Sequence, residues 1–130
     1  MKNKFITEAE QKIFTITIPN IPPIGHYNCY PIKELNSILI HNFGIVETII
    51  NRSDKSLSLT FVLKKPNGTG ISCVYVAIVS NKIESEKYQL SEITEINALL
   101  KTDYYVSETI EHHTTDSSII FFVLQSYIPF

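Results

Sequence analysis

Leu57, Leu59, Phe61 and Leu63 alternate with Ser56, Ser58, Thr60 and Lys64. Successive strand side chains point to opposite faces, so this run predicts a strand with one buried and one polar face. Phe14, Ile16 and Ile18 alternate with threonines in the same way and predict an earlier strand. Residues 45–52 read as a further strand, followed by a turn at Asn51-Arg52-Ser53-Asp54-Lys55. The stretch from Ile71 to Val79 is apolar on both faces, as expected of a central strand. Strands over 104–112 and 117–127 follow, joined through Thr114, Thr115 and Asp116.

A helical period appears twice. Ile32, Leu35, Ile38, Leu39 and Phe43 follow Pro31, suited to a first helical position, and precede Gly44, which stops the pattern. The β-branched content of Ile38-Leu39-Ile40 also admits a strand, and the helical spacing is the better fit. The second helix opens on Ser91 as N-cap, with Glu92 at the positive end of the dipole. It lines one face with Ile93, Ile96, Leu99 and Leu100 and closes on Lys101. Thr7 and Glu10 have capping-box spacing and predict a short helical turn before the first strand. Pro19, Pro22, Pro23 and Gly25 make residues 19–30 an irregular crossing. At Pro66-Asn67-Gly68-Thr69-Gly70 glycine supplies the positive φ of a tight reversal, and residues 81–90 form a charged connection.

The resulting order, β-α-β-β-β-α-β-β, predicts a single α+β domain over 1–130: a largely antiparallel five- or six-stranded sheet with two short amphipathic helices. A chain of 130 residues can bury one core without staples. Two such helices cover ~20 Å of a sheet that six strands at ~4.8 Å spacing make about 29 Å wide. One apolar set of the last strand, Ile119, Phe121 and Val123 or Ile120, Phe122 and Leu124, is therefore expected to lack cover. The sheet can curl over a pocket, the chain can dimerise or another protein can bind; self-association or a partner is the expected outcome, because the polar second face of residues 56–64 is a poor wall for an apolar pocket.

Charge narrows the partners. The 11 basic and 13 acidic residues are interspersed, with no basic stripe to displace counterions from phosphates, so nucleic acid is not an expected partner. The chain has no apolar run near the ~18 residues of a membrane span, and Thr7, Glu8, Glu10 and Gln11 interrupt any leader-like stretch. A cytoplasmic setting is expected. Cys29 and Cys73 match no metal or redox spacing; they could form one disulfide but are expected to be reduced. Asn51-Arg52-Ser53 and Asn67-Gly68-Thr69 have glycosylation-acceptor form but fit turns better.

Glu108-Thr109-Ile110-Glu111-His112-His113 offers the most reactive-looking groups, since a carboxylate beside an imidazole can tune a base or orient a ligand. Alternation puts Glu108 and His112 on one face and Glu111 and His113 on the other, so the histidines diverge. His26, Cys29 and His41 are acceptable zinc ligand types, but their spacing does not converge. Neither a metal nor another cofactor is expected. The glycines of residues 66–70 lack the lysine and following helix of a phosphate loop. Tyrosines at 27, 30, 75, 88, 104, 105 and 127 could line a pocket, although tyrosine in strands is ordinarily core or sheet surface.

From the first helix onward the element order is similar to that of small bacterial secretion chaperones, acidic α+β dimers that bind a client protein. The likeness lies in architecture alone, since the chain carries no motif of that family, omits its terminal helix and adds a first strand. The first expectation is a non-enzymatic interaction domain, adaptor, chaperone-like or inhibitor-like, working through a sheet or helix surface. That surface would comprise Ile120, Phe121, Phe122, Leu124 and Tyr127, with a homodimer as the expected assembly. The alternative is a small-ligand domain with an apolar pocket lined by Tyr75, Phe121 or Phe122; a small enzyme using His112 or His113 ranks third. A filled core favours the first reading, and an apolar cavity of at least ~300 Å³ the second.

Overall fold

The alternating run at residues 56–65 is the middle strand of a three-stranded sheet. The computed structural model describes residues 10–19, 27–54, 56–65, 71–82, 90, 92–113 and 117–128. In chain order the elements are β1 (Glu10–Pro19), β2 (Tyr27–Pro31), α1 (Lys33–Leu39), β3 (Gly44–Arg52), β4 (Ser56–Lys65), β5 (Ile71–Lys82), α2 (Thr94–Leu100), β6 (Tyr105–His113) and β7 (Ser117–Ile128). One sheet has the order β1-β4-β3 and the other β2-β5-β7-β6, and every pairing is antiparallel. The α+β class with two short helices is as the sequence predicts.

The strands are divided differently from the expected single sheet. β3 and β4 pair as neighbours, but β5 leaves them for the second sheet, so residues 45–79 do not form a three-stranded meander. The reason is the pattern of apolar faces. Leu57, Leu59, Phe61 and Leu63 of β4 meet Val74, Val76 and Ile78 of β5 and Ile119, Phe121 and Val123 of β7 in one buried cluster, to which α1 adds Leu35 and Leu39. The opposite faces of β5 and β7 present Ala77, Val79 and Leu124 to Ile96 of α2. β5 and β7 are thus apolar on both sides because a sheet covers one face and a helix the other. The sheet face expected to lack cover is covered by the chain itself.

Smaller corrections have local causes. Tyr27–Pro31 is a strand, not part of an irregular crossing, and Pro31 ends that strand instead of opening the helix. Glu10 lies in β1, not in a helical turn; its capping-box partner Thr7 is outside the described residues. Ile32 and Ile93 occupy the N-cap positions without side-chain caps, while Glu34 and Glu95 place negative charge in the first turns. Ser91 and the 66–70 reversal lie outside the described residues. After α1 the chain turns at Asn42 with φ 65°, a left-handed conformation that asparagine tolerates, and Gly44 begins β3.

Candidate functional site

β2 pairs only with the far half of β5, from Ala77 to Asn81. At Val76 the chain has already left the sheet. The Ile32 N–H donates to the Val76 carbonyl at 3.2 Å, and α1 then places the Asn36 amide against the same residue. Asn36 Nδ2 donates to the Val76 oxygen at 3.1 Å, while its Oδ1 accepts the Val76 N–H at 2.7 Å. A side-chain amide carries one donor and one acceptor in the arrangement a neighbouring strand would offer, so Asn36 replaces a strand partner for one residue.

Beyond that substitution opens a cleft of about 460 Å³. Lys33, Asn36, Ser37 and Ile40 of α1 form one wall, Cys73, Val74 and Tyr75 the β5 edge, and Tyr104 and Pro31 its limits. Ile40 is 62% exposed, an apolar side chain on the open side of the helix. Among the described lining residues Lys33 is the only ionic group. Burial, followed by the nearby Cys29, Glu95 and Tyr104, raises the Tyr75 pKa. Burial and Cys73 raise that of Tyr104, against a lowering hydrogen bond with Ser126. Both phenols are therefore neutral at pH 7, with apolar faces and a hydrogen-bonding tip. A second, smaller cavity of about 210 Å³ lies between β1 and α1, lined by Phe14, Ile16, Leu35 and Ile38 above Phe61.

The polar end of β6 divides as alternation requires. His112 is 8% exposed and shares the inward face with Ile110, while His113 lies outside, 3.6 Å from Glu111, with both side chains 59% exposed. Glu108 is exposed. Arg52 Nε and Nη2 donate to the Glu111 carbonyl at 3.3 and 2.9 Å, linking β3 of one sheet to β6 of the other. The two histidines are not brought together.

Among the described residues no three His, Cys, Asp or Glu side chains group as metal ligands. Cys29 lies in β2 and His41 in the turn after α1; His26 is outside the described residues. Cys29 and Cys73 are both free thiols. Cys29 pairs with Val79, six residues along β5 from Cys73, or ~20 Å, far beyond disulfide reach. Burial, followed by Glu95, pushes the Cys29 pKa up to about 11, which leaves a protonated, weakly nucleophilic thiol at neutral pH.

The last strand does not present the expected interaction surface. Phe121 and Leu124 have no exposed area, Ile120 and Phe122 are partly buried, and the Tyr127 side chain is outside the described residues. The sheet and α2 enclose β7 from both sides. Of the cleft residues, Tyr75 and Tyr104 are among the tyrosines expected to be able to line a pocket, whereas Lys33 and Ile40 lie outside the apolar helix face of Ile32, Leu35, Ile38, Leu39 and Phe43. Ile40, apolar and off the helix's buried stripe, was the available signal. Among the described residues no helix is long and apolar enough to cross a membrane. Comparison with known protein families, curated proteins and solved structures finds no match to this chain.

Proposed function

We propose that this chain is a non-enzymatic protein-interaction domain and that its binding surface is the cleft between α1 and the β5 edge. The observation that carries the reading is the combination in that cleft of exposed Ile40, the rings of Tyr75 and Tyr104, and a strand edge left behind where β2 ends. Protein interfaces favour tyrosine and exposed apolar anchors in concave sites. The two sheets cover each other, so the last strand offers no open apolar face for a homodimer. Another protein is the preferred partner. The protonated Cys29 thiol and the divergent His112 and His113 favour binding over catalysis. Two free thiols suit a reducing, cytoplasm-like compartment.

A small apolar ligand in the same cleft is the second reading, favoured by its volume, which falls within the ~300–1,000 Å³ of ligand sites. Native mass spectrometry of the purified protein, followed by amide NMR mapping of peptides selected from a displayed library, separates the two. A retained small-molecule mass supports the second reading. A bare chain that binds selected peptides, with shifts at Lys33, Ile40 and Tyr75, supports the first. Shifts confined to the outer face of β1, β4 and β3 would remove the cleft from both.

A further inference from the structure

We infer that the cleft takes its partner as an added strand: an extended, acidic peptide segment that pairs antiparallel with residues 71–75 of β5. The inference rests on the interaction reading above and specifies how the partner is held.

The backbone sets the geometry. Val76 directs both its N–H and its carbonyl toward the α1 side, where Asn36 and Ile32 meet them. In an antiparallel strand the direction repeats every second residue, so Val74 points its N–H and carbonyl the same way. β7 pairs with β5 along its other edge from Ile71 to Lys82 and takes none of these groups. β2 has ended at Pro31, opposite Ala77, and no hydrogen-bond partner for Val74 on this edge lies among the described residues. Among the described residues nothing pairs with this edge over residues 71–75, a length of about 17 Å at ~3.4 Å per residue, enough for a segment of about five residues.

The lining sets the chemistry of the occupant. A strand laid on this edge would alternate its side chains between the α1 wall, where Ile40 is exposed, and the opposite face, where Tyr75 and Tyr104 stand. Both positions suit apolar residues. Among the described lining residues the one ionic group is the Lys33 ammonium, and none is a carboxylate. Charge complementarity therefore selects a segment with an acidic residue toward the Pro31 end. Backbone pairing supplies affinity and the alternating pockets supply selectivity, as in other strand-addition complexes. Asn36 marks the end of the site, since its amide fills the pairing position at Val76.

The test uses seven-residue peptides selected against the intact protein from a displayed library and then synthesised. Peptides that alternate apolar residues and carry a carboxylate are expected. Their binding should slow exchange of the Val74 amide proton, and N-methylation of alternate peptide amides should weaken binding at least about tenfold. Lys33→Glu, at an exposed position that leaves the core intact, should weaken acidic peptides by about fivefold. Val74→Pro deletes the edge N–H without touching the β5–β7 ladder and should abolish binding, with circular dichroism confirming the fold. Peptides that shift Ile40 and Tyr75 but leave Val74 exchange unchanged and tolerate N-methylation would overturn strand addition while sparing the interaction reading. A library that yields no cleft binder would overturn both.

Discussion

The Phe61 and Phe121 rings stack across the two sheets with centroids 5.2 Å apart and planes 27° from parallel, and neither ring is more than 1% exposed. This pair sits where β4 of one sheet faces β7 of the other. Replacing either ring by alanine removes buried area and leaves a cavity that the two sheets can only partly close. Phe61→Ala and Phe121→Ala should each cost about 3–5 kcal/mol in urea unfolding. The double mutant should show a coupling of about 0.5–1.5 kcal/mol. Coupling near zero would mean that the rings contribute as independent buried surface.

Much of this core was legible because period-two alternation reports burial directly. The alternation of β4 marked Leu57, Leu59, Phe61 and Leu63 as one buried face, and β5 and β7 showed apolar residues on both. Division into two sheets was not legible, because alternation identifies a face without naming what covers it. Yet the shortage of helix to cover the apolar faces was a real signal, and its answer is the other sheet. β2 was hidden by its composition, since Tyr27-Asn28-Cys29-Tyr30-Pro31 has neither alternation nor β-branched residues. The cleft was hidden by topology: it assembles residues 31–40, 73–75 and 104, segments with no common sequence pattern.

Asn36 should matter more than an ordinary polar residue on a short helix. Asn36→Ala leaves the Val76 N–H without its 2.7 Å acceptor, and an unmet, partly buried backbone group costs about 1–3 kcal/mol. Asn36→Asp keeps an acceptor but sets a carboxylate oxygen against the Val76 carbonyl, so it should be at least as damaging. Thermal melts give the size of the loss. Hydrogen exchange gives its place: Val76 should exchange faster, while Ala77 and Phe122, opposite each other on the β5–β7 ladder, stay protected.

Cys29 supplies a pH dependence with a defined sign. Burial and Glu95 raise its pKa from 9.0 to about 11, so the folded chain holds this proton more tightly than the unfolded one. The associated stability is complete below about pH 9 and is lost as pH rises toward about 11. Alkylation by iodoacetamide at neutral pH should be slow at Cys29 and should accelerate through the alkaline range. Glu95→Gln should lower the midpoint only in part, because burial is the larger cause. Fast alkylation at pH 7 in the folded protein would contradict this.

Adjacent phenylalanines in β7 should respond differently to the same charge. Phe121 faces the other sheet with no exposed area, whereas Phe122 is partly buried on the α2 side. A carboxylate at 121 would enter the filled layer between the sheets, where an unpaired charge costs more than a domain of this size can spare. Phe121→Glu should therefore fail to fold. At 122 the substitution removes part of the apolar bed beneath Ile93, Ile96 and Leu99, at a cost of about 1.5–3 kcal/mol for the lost burial. The helix can yield without opening the sheets. Amides of α2 should lose exchange protection in Phe122→Glu, while those paired between β5 and β7 keep theirs. Light scattering adds an independent check: Phe122→Glu should leave the wild-type mass unchanged, because the faces of the last strand are enclosed by the chain itself. A wild-type dimer that Phe122→Glu converts to a folded monomer would instead place a subunit contact on this strand.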